Sequence, residues 1–304
     1  MAISRTQLVK ELEPGLNALF GLEYKRYENQ HAEIYVTESS DRAFEEEVML
    51  SGFANAQTKA EGQGVSFDVA QETYTARYTH DTIALAFAIT EEAIEDNLYD
   101  RISSRYTKAL ARSMSNAKQV KAVTPLIDGL PSTDGFDSGD GVSLFNTAHT
   151  TVSGTSVKNT LTTQADLNET SLEQSLIDIA AMTDERGLRI AARGVKMIIP
   201  SANQFTAERL MKSQGRTGTA DNDINAIGSM GMIPQGYRVN NYLTDSDSFY
   251  IITDVPNGMK MFQRAPLKTA MEGDFDTGNV RYKARERYSF GVSDYRGIFG
   301  VEGA

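Results

Sequence analysis

The chain has 304 residues, a formal net charge of −11 and 40 % hydrophobic residues, enough for one large domain or two modest ones with a packed core. It has no cysteine, which excludes a disulfide framework, thiolate zinc, iron–sulfur clusters and a cysteine nucleophile. The acidic balance argues against a whole surface built for polyanions, and no apolar run approaches the ~18 residues that a membrane span needs.

Residues 1–35 are amphipathic, with Leu8, Leu12, Leu16, Leu19, Phe20 and Leu22 on short helical faces broken by Pro14-Gly15. They look too thin to fold alone and read as an arm that packs on something else. The N-terminus lacks a signal-peptide core, which fits a soluble protein made in the cytosol. Glu45, Glu46 and Glu47 form a compact acidic run, either a solvated helix end or a partner for a basic surface. From Val65, Phe67 and Val69 through Tyr74, Ala76 and Tyr78, apolar and polar residues alternate with period two. This predicts a long β-hairpin or protruding loop, followed by a strand entering a core.

A long helix is expected from Thr90 to Thr124. Thr90 would cap it, Glu91, Glu92 and Glu95 would complement its dipole, and Pro125 would stop it. Residues 128–160 are rich in Gly, Ser, Thr and Asp and read as loop. Thr170-x-x-Glu173 and Ser201-x-x-Gln204 resemble capping boxes, with Gly187 as a helix-ending glycine and a buried strand at Val195–Pro200 between the two helices. A Gly-rich loop covers 215–232. Strands follow at about 237–243, 248–253 and 259–263, and long alternating strands fill 266–300. The order of elements predicts an α+β fold.

Motifs of chemistry are missing. The three histidines, His31, His80 and His149, lie far apart, and none has metal-ligand spacing. His149 reads as a loop anchor bonding backbone groups rather than as a base or ligand. Asp134, Asp137 and Asp140 sit in a glycine-rich loop without the EF-hand spacing or its closing glutamate, and read as a solvated turn, as do Asp221 with Asp223 and Asp245 with Asp247. No catalytic residue, metal site or cofactor is expected.

The segment VRYKARERYSF, 280–290, separates two faces. Arg281, Lys283, Arg285 and Arg287 point one way, and Tyr282, Ala284, Glu286, Tyr288 and Phe290 the other. Because the aromatics lie behind the cations, a stacking platform for nucleic-acid bases is disfavoured. A solvated face or an inter-subunit charge surface fits better.

Five stretches, in order and nearly spanning the chain, give the sequence a further likeness: ISRTQLVKELEPGLNALFGLEY, IALAFAITEEAIEDN, LFNTAHTTVSGTSVKNTLTTQADLNETSLEQSL with DERGLRI, GMIPQGYRVNNYLTDSDSFYIITDVPNGMKMF, and DFDTGNVRYKARERYSFGVSDYRGIFG. Together with the long helix, they resemble the major capsid proteins of tailed bacteriophages with the HK97-like fold. That resemblance implies an N-terminal arm (1–35), an extended loop lying over a neighbouring subunit (36–88) and a spine helix (89–125). It implies an axial domain (126–263) and C-terminal strands that complete a peripheral domain (264–304). Gly215, Arg216, Asp221 and Asp223 would belong to the axial tip loop. Glu45, Glu46 and Glu47 would meet the cationic face of a neighbour at Arg281, Lys283, Arg285 and Arg287.

The implied partners are the chain itself, in hexamers and pentamers, a portal, and a separate scaffolding protein, since only about 35 residues precede the extended loop. The implied place is the virion capsid, assembled in the host cytoplasm, with DNA enclosed but not read by sequence and no membrane involved. Lys59 lies in the extended loop without a motif that points to cross-linking. An encapsulin-type nanocompartment shell with enzyme cargo is the near alternative, and a phage tail or decoration protein the more distant one.

Overall fold

The computed structural model describes residues 5–90, 92, 99–133, 135–216, 223–274 and 278–304, with the backbone alone at 5–14 and 99–102. Helix α1 runs from Arg5 to Arg26 without the expected break at Pro14. Packing explains the continuity: Leu16 and Phe20, one turn apart, are buried against Leu110, Ala111 and Met114, and Tyr24 stacks on Phe20 at 6.0 Å. This burial offsets the hydrogen bond that proline removes. The described part of the arm therefore has its support inside its own chain.

The helix under α1 is α2, Tyr99–Asp128. The expected helix start, with Glu91, Ile94, Glu95 and Leu98, lies outside the described residues. At the other end α2 passes through Pro125 instead of stopping there. Ala122, Val123 and Leu126 are almost wholly buried, and the carbonyls of Ala122 and Leu126 accept from the Tyr35 and Tyr250 hydroxyls at 2.7 and 3.3 Å. The last turn is thus held from outside.

Strand β1 (Val36–Ser39) leads to the hairpin β2 (Phe44–Leu50) and β3 (Glu72–Thr79), which pair antiparallel. Residues 51–71 between them carry no strand, although Val65, Phe67 and Val69 alternate. Alternation needs a face to bury, and here those side chains stand in solvent, Phe67 at 97 %. Strand β4 (Asp81–Ile89) then enters a four-stranded sheet of order β1-β10-β11-β4, where β10 is Met259–Gly273 and β11 is Val280–Val292. Helices α1 and α2 cover one face of that sheet through Tyr282 and Ala284.

The middle of the chain begins with a short pair, β5 (His149–Thr150) and β6 (Ser156–Val157). Helix α3 is Glu169–Ala180. Its cap lies two residues earlier than expected: Asn168 Oδ1 accepts from the Ser171 amide at 2.9 Å and Ser171 Oγ accepts from the Asn168 amide at 3.0 Å. Gly187, at φ +82°, turns the loop after α3 instead of ending the helix. Strand β7 (Gly194–Ile199) follows. Ser201 sits in a 3-10 turn, so α4 (Gln204–Lys212) starts without a side-chain cap.

After α5 (Ala226–Met230) come β8 (Tyr237–Val239), β9 (Phe249–Thr253) and, past β11, β12 (Ile298–Val301). The second sheet has the order β12-β9-β7-β8. The chain's last strand therefore returns to the middle segment's sheet, and the expected boundary at 263/264 falls inside β10. One hydrophobic cluster joins the two sheets, from Ile34 and Leu126 to Ile198, Phe249 and Phe299. Where the segments meet, Gly297 and Gly258 bring their backbones together; a Cβ on Gly297 would lie 2.3 Å from Gly258 Cα.

Candidate assembly surfaces

Strand β11 alternates as its sequence predicts. Arg281, Lys283 and Arg285 are exposed and Arg287 is half-buried, while Tyr282, Ala284, Glu286 and Tyr288 are buried. Register places small residues beside the cations on the β4 side. Ala88, Ala86, Ala84 and Thr82 of β4 stand opposite Arg281, Lys283, Arg285 and Arg287. On the β10 side the partners are Glu272, Ala270, Lys268 and Ala265. The result is a cationic ridge along β11, flanked by small residues on β4 and joined by Lys268 of β10. Arg281 is paired with Asp274 in its own chain. Lys268, Lys283 and Arg285 have no carboxylate partner among the described residues, and the buried Nε atoms of Arg264 and Arg287 lack an acceptor.

Behind the ridge lies a buried polar network. Lys118 of α2 reaches Glu286 at 3.4 Å and stands over the Tyr288 ring at 5.1 Å. Burial raises the Glu286 carboxyl above its ordinary range although Lys118 and Tyr24 oppose the shift. His31 exchanges two hydrogen bonds with Gln119: its amide donates to Oε1 at 2.9 Å, and its Nδ1 accepts from Nε2 at 3.0 Å. Burial, with Lys118 nearby, lowers the His31 pKa to about 4.

The acidic run lies on a strand, not at a helix end, and its members are split between faces. Glu47 meets Lys260 at 2.5 Å, and Lys260 also meets Glu38 at 3.2 Å. Burial pulls the Lys260 pKa down, but the two carboxylates outweigh it and hold the pKa above the usual value. Glu45 accepts from Ser40 Oγ at 2.7 Å, and Ser40 Oγ in turn accepts from His80 Nε2 at 2.9 Å. Glu46 faces outward, 3.8 Å from Arg77. Glu45 and Glu47 are thus engaged at home, and the structure does not bring the run to Arg281–Arg287 of its own chain.

In the candidate tip loop, Gly215 bridges to Ile224 and the Arg216 amide donates to the Asp223 carbonyl at 2.8 Å. Arg216 Nε donates to Glu169 at 2.7 Å, tying the loop base to the start of α3. Asp221 lies outside the described residues, as does Asp134 of the other acidic loop. Among the described residues no cluster of His, Asp or Glu is arranged to hold a metal, and no helix is long and apolar enough to cross a membrane.

His149 anchors its loop through side chains rather than backbone: Nδ1 to Asp140 at 2.6 Å and Nε2 to Asn159 Oδ1 at 3.1 Å. Burial raises the Asp140 pKa, but hydrogen bonds from His149 and Ser138 prevail and lower it. The His149 ring stacks on Tyr295 at 3.8 Å. Beside it, buried Arg296 joins Glu185 at 2.6 Å and Asp294 at 3.2 Å. This ion cluster pins the loop after α3 to the C-terminal segment; sequence reasoning missed it, because its members lie far apart along the chain.

The described residues present surfaces and buried clamps, and comparison with known proteins shows what kind of protein carries them. The family described as "Phage capsid protein" matches residues 73–301. The chain belongs to the phage capsid protein family. No curated protein matches it by sequence. Among solved structures, the capsid of an empty GTA particle, computed with C5 symmetry, is similar at a TM-score of 0.59 and 14 % identity, over 90 % of this chain and 89 % of that one. The procapsid of bacteriophage JBD30 gives 0.55 and 13 %, over 99 % and 77 %. A virus-like particle from Pyrococcus furiosus gives 0.55 and 8 %, over 94 % and 98 %. At such identities the likeness establishes the fold: this phage capsid protein has the mixed α+β, HK97-like architecture, and it is a structural protein of the virion.

Proposed function

We propose that this capsid protein assembles with itself, as hexamers and pentamers, into the icosahedral shell that encloses the DNA of a tailed phage. The observation that carries the proposal is the β2–β3 hairpin. It projects Phe53, Val65, Phe67 and Val69, each more than 60 % exposed. Four exposed large apolar side chains in one loop are a liability in a free monomer and an asset against a second copy. The cationic ridge belongs to the same reading. Rim charges set register and partner choice between copies, with Lys283 and Arg285 on one copy and the outward Glu46 of a neighbour's hairpin as the pair. The loop with Gly215, Arg216, Asp221 and Asp223 would pack around the symmetry axes. A separate scaffolding protein and a portal complete the assembly, which takes place in the host cytoplasm.

Negative-stain electron microscopy of the purified chain, alone and with a scaffold, tests this. Closed shells, or sheets of hexamers and pentamers, are the expected result; uniform monomers under both conditions would contradict it. A second reading with the same fold is an encapsulin-type shell. Shells that form in the infected host without packaged DNA, around an enzyme cargo, would decide for that reading.

A further inference from the structure

Helix α2 shows solvent a second cationic face, apart from the ridge of β11. From residue 101 to 127 it holds Arg101, Arg105, Lys108, Arg112, Lys118 and Lys121 and no Asp or Glu. Lys118 is buried with Glu286, and Lys121 pairs with Asp81. Arg105, Lys108 and Arg112 remain exposed, lie within one helical face at spacings of three and four, and have no carboxylate partner among the described residues. Lys108 and Arg112 line a groove of about 540 Å³ between α2 and the end of α1, with Tyr27, Ala109, Ser113 and Asn116, and Arg105 stands one turn before Lys108 on the same helix face. On the far side Lys25 and Arg26, exposed in the last turn of α1, are balanced by Glu23 and the exposed Glu28, so the groove's positive charge comes from α2. Glu23 on that side is engaged by the Tyr27 hydroxyl at 3.2 Å and by Arg26 at 3.6 Å.

We infer that this groove binds the phosphodiester backbone of duplex DNA without regard to sequence. Three features favour phosphate over an acidic protein segment. The polar lining residues, Lys, Arg, Ser, Asn and Tyr, are types that contact phosphates and position a duplex without reading bases. The groove lacks the apolar pocket in which a protein partner would seat a central anchor. From Arg105 to Arg112 the helix rises roughly 10 Å at 1.5 Å per residue, which spans about three phosphates of one strand at 3.4 Å each. The site lies on the helix face, opposite the sheet's ridge that serves copy-to-copy contact, so one subunit carries two cationic surfaces with different partners. Three contacts make a weak grip, suited to holding DNA near a wall without arresting it.

The test is fluorescence anisotropy of the full-length, unassembled chain with a labelled duplex of mixed sequence. Three phosphate contacts predict a log–log salt slope of about −2.7, or roughly 40-fold weaker binding between 50 and 200 mM salt. The exposed double substitution Lys108→Gln/Arg112→Gln is expected to flatten that slope to about −0.9, whereas Lys283→Gln/Arg285→Gln leaves it unchanged. No binding at low salt, a loss that follows the β11 variant instead, or equally tight binding of poly-glutamate would each overturn the inference. Electron microscopy of the same α2 variants keeps this inference apart from the assembly reading. They are expected to form the particles of the wild type, and loss of assembly with DNA affinity intact would make α2 a contact between copies instead.

Discussion

His31 is a residue whose protonation state is fixed by its neighbours. Its Nδ1 accepts a hydrogen bond from the Gln119 amide, so a proton there would set donor against donor. Burial and Lys118 lower its pKa to about 4, against roughly 6.5 in an unfolded chain. The unfolded state therefore takes up the proton first on acidification. The contribution is complete above about pH 6.5 and is lost as pH falls toward 4, on the order of 3 kcal/mol for a shift of this size. Urea unfolding at pH 7.5 and pH 4.5 should show that loss, and His31→Gln should be less sensitive over the same interval. Equal acid sensitivity in the variant would assign the effect to other groups. His31 has no signal in sequence: its partner Gln119 is 88 residues away, and both are ordinary polar residues until the fold joins them.

At the scale of elements, α2 and β11 are fastened by a buried ion pair. Lys118 and Glu286 are both buried, and Lys118 leans over Tyr288. A buried pair is costly to break from one side, because the remaining charge stays desolvated. Lys118→Met alone is expected to lose about 3–5 kcal/mol in denaturant unfolding, and Lys118→Met/Glu286→Gln to recover much of that. A double variant as unstable as the single would mean that the pair's hydrogen bonds, rather than the stranded charge, hold the layer.

The alternation of β11 was legible because a strand buried on one face must alternate. Its inner Glu286 was visible as an interruption of the aromatic face but not as a partner of Lys118, since that pairing crosses 168 residues. Pro14 and Pro125 misled the reading of helix ends for one reason. Proline's cost is local, whereas the burial that offsets it, Phe20 at one helix and Leu126 at the other, is set by tertiary packing. The capping boxes were misplaced by a similar competition among nearby Ser, Thr and Asn, any of which can cap, until the entry path of the chain selects one.

For the whole molecule, two sheets share one core and β3 packs on it through Tyr74, Ala76 and Tyr78, yet the loop between β2 and β3 leaves Phe53, Val65, Phe67 and Val69 uncovered. The sequence pattern at 65–69 is that of a strand, and the free chain does not make one there. In the proposed assembly, a pattern that specifies a buried face with nothing among the described residues to bury it serves contact between copies. Phe67 separates folding from assembly. At 97 % exposure it has no neighbours to lose, so Phe67→Asp should leave the unfolding free energy within about 0.5 kcal/mol of the wild type. In the shell the same change would bury a carboxylate without a partner, at a cost that recurs in every subunit. The expected outcome is a variant with normal circular dichroism and unfolding that yields no closed particles by electron microscopy. Particles of normal yield and shape would show that the hairpin tip stays in solvent after assembly, and the search for the contact would move to the ridge of β11 and the loop at Arg216.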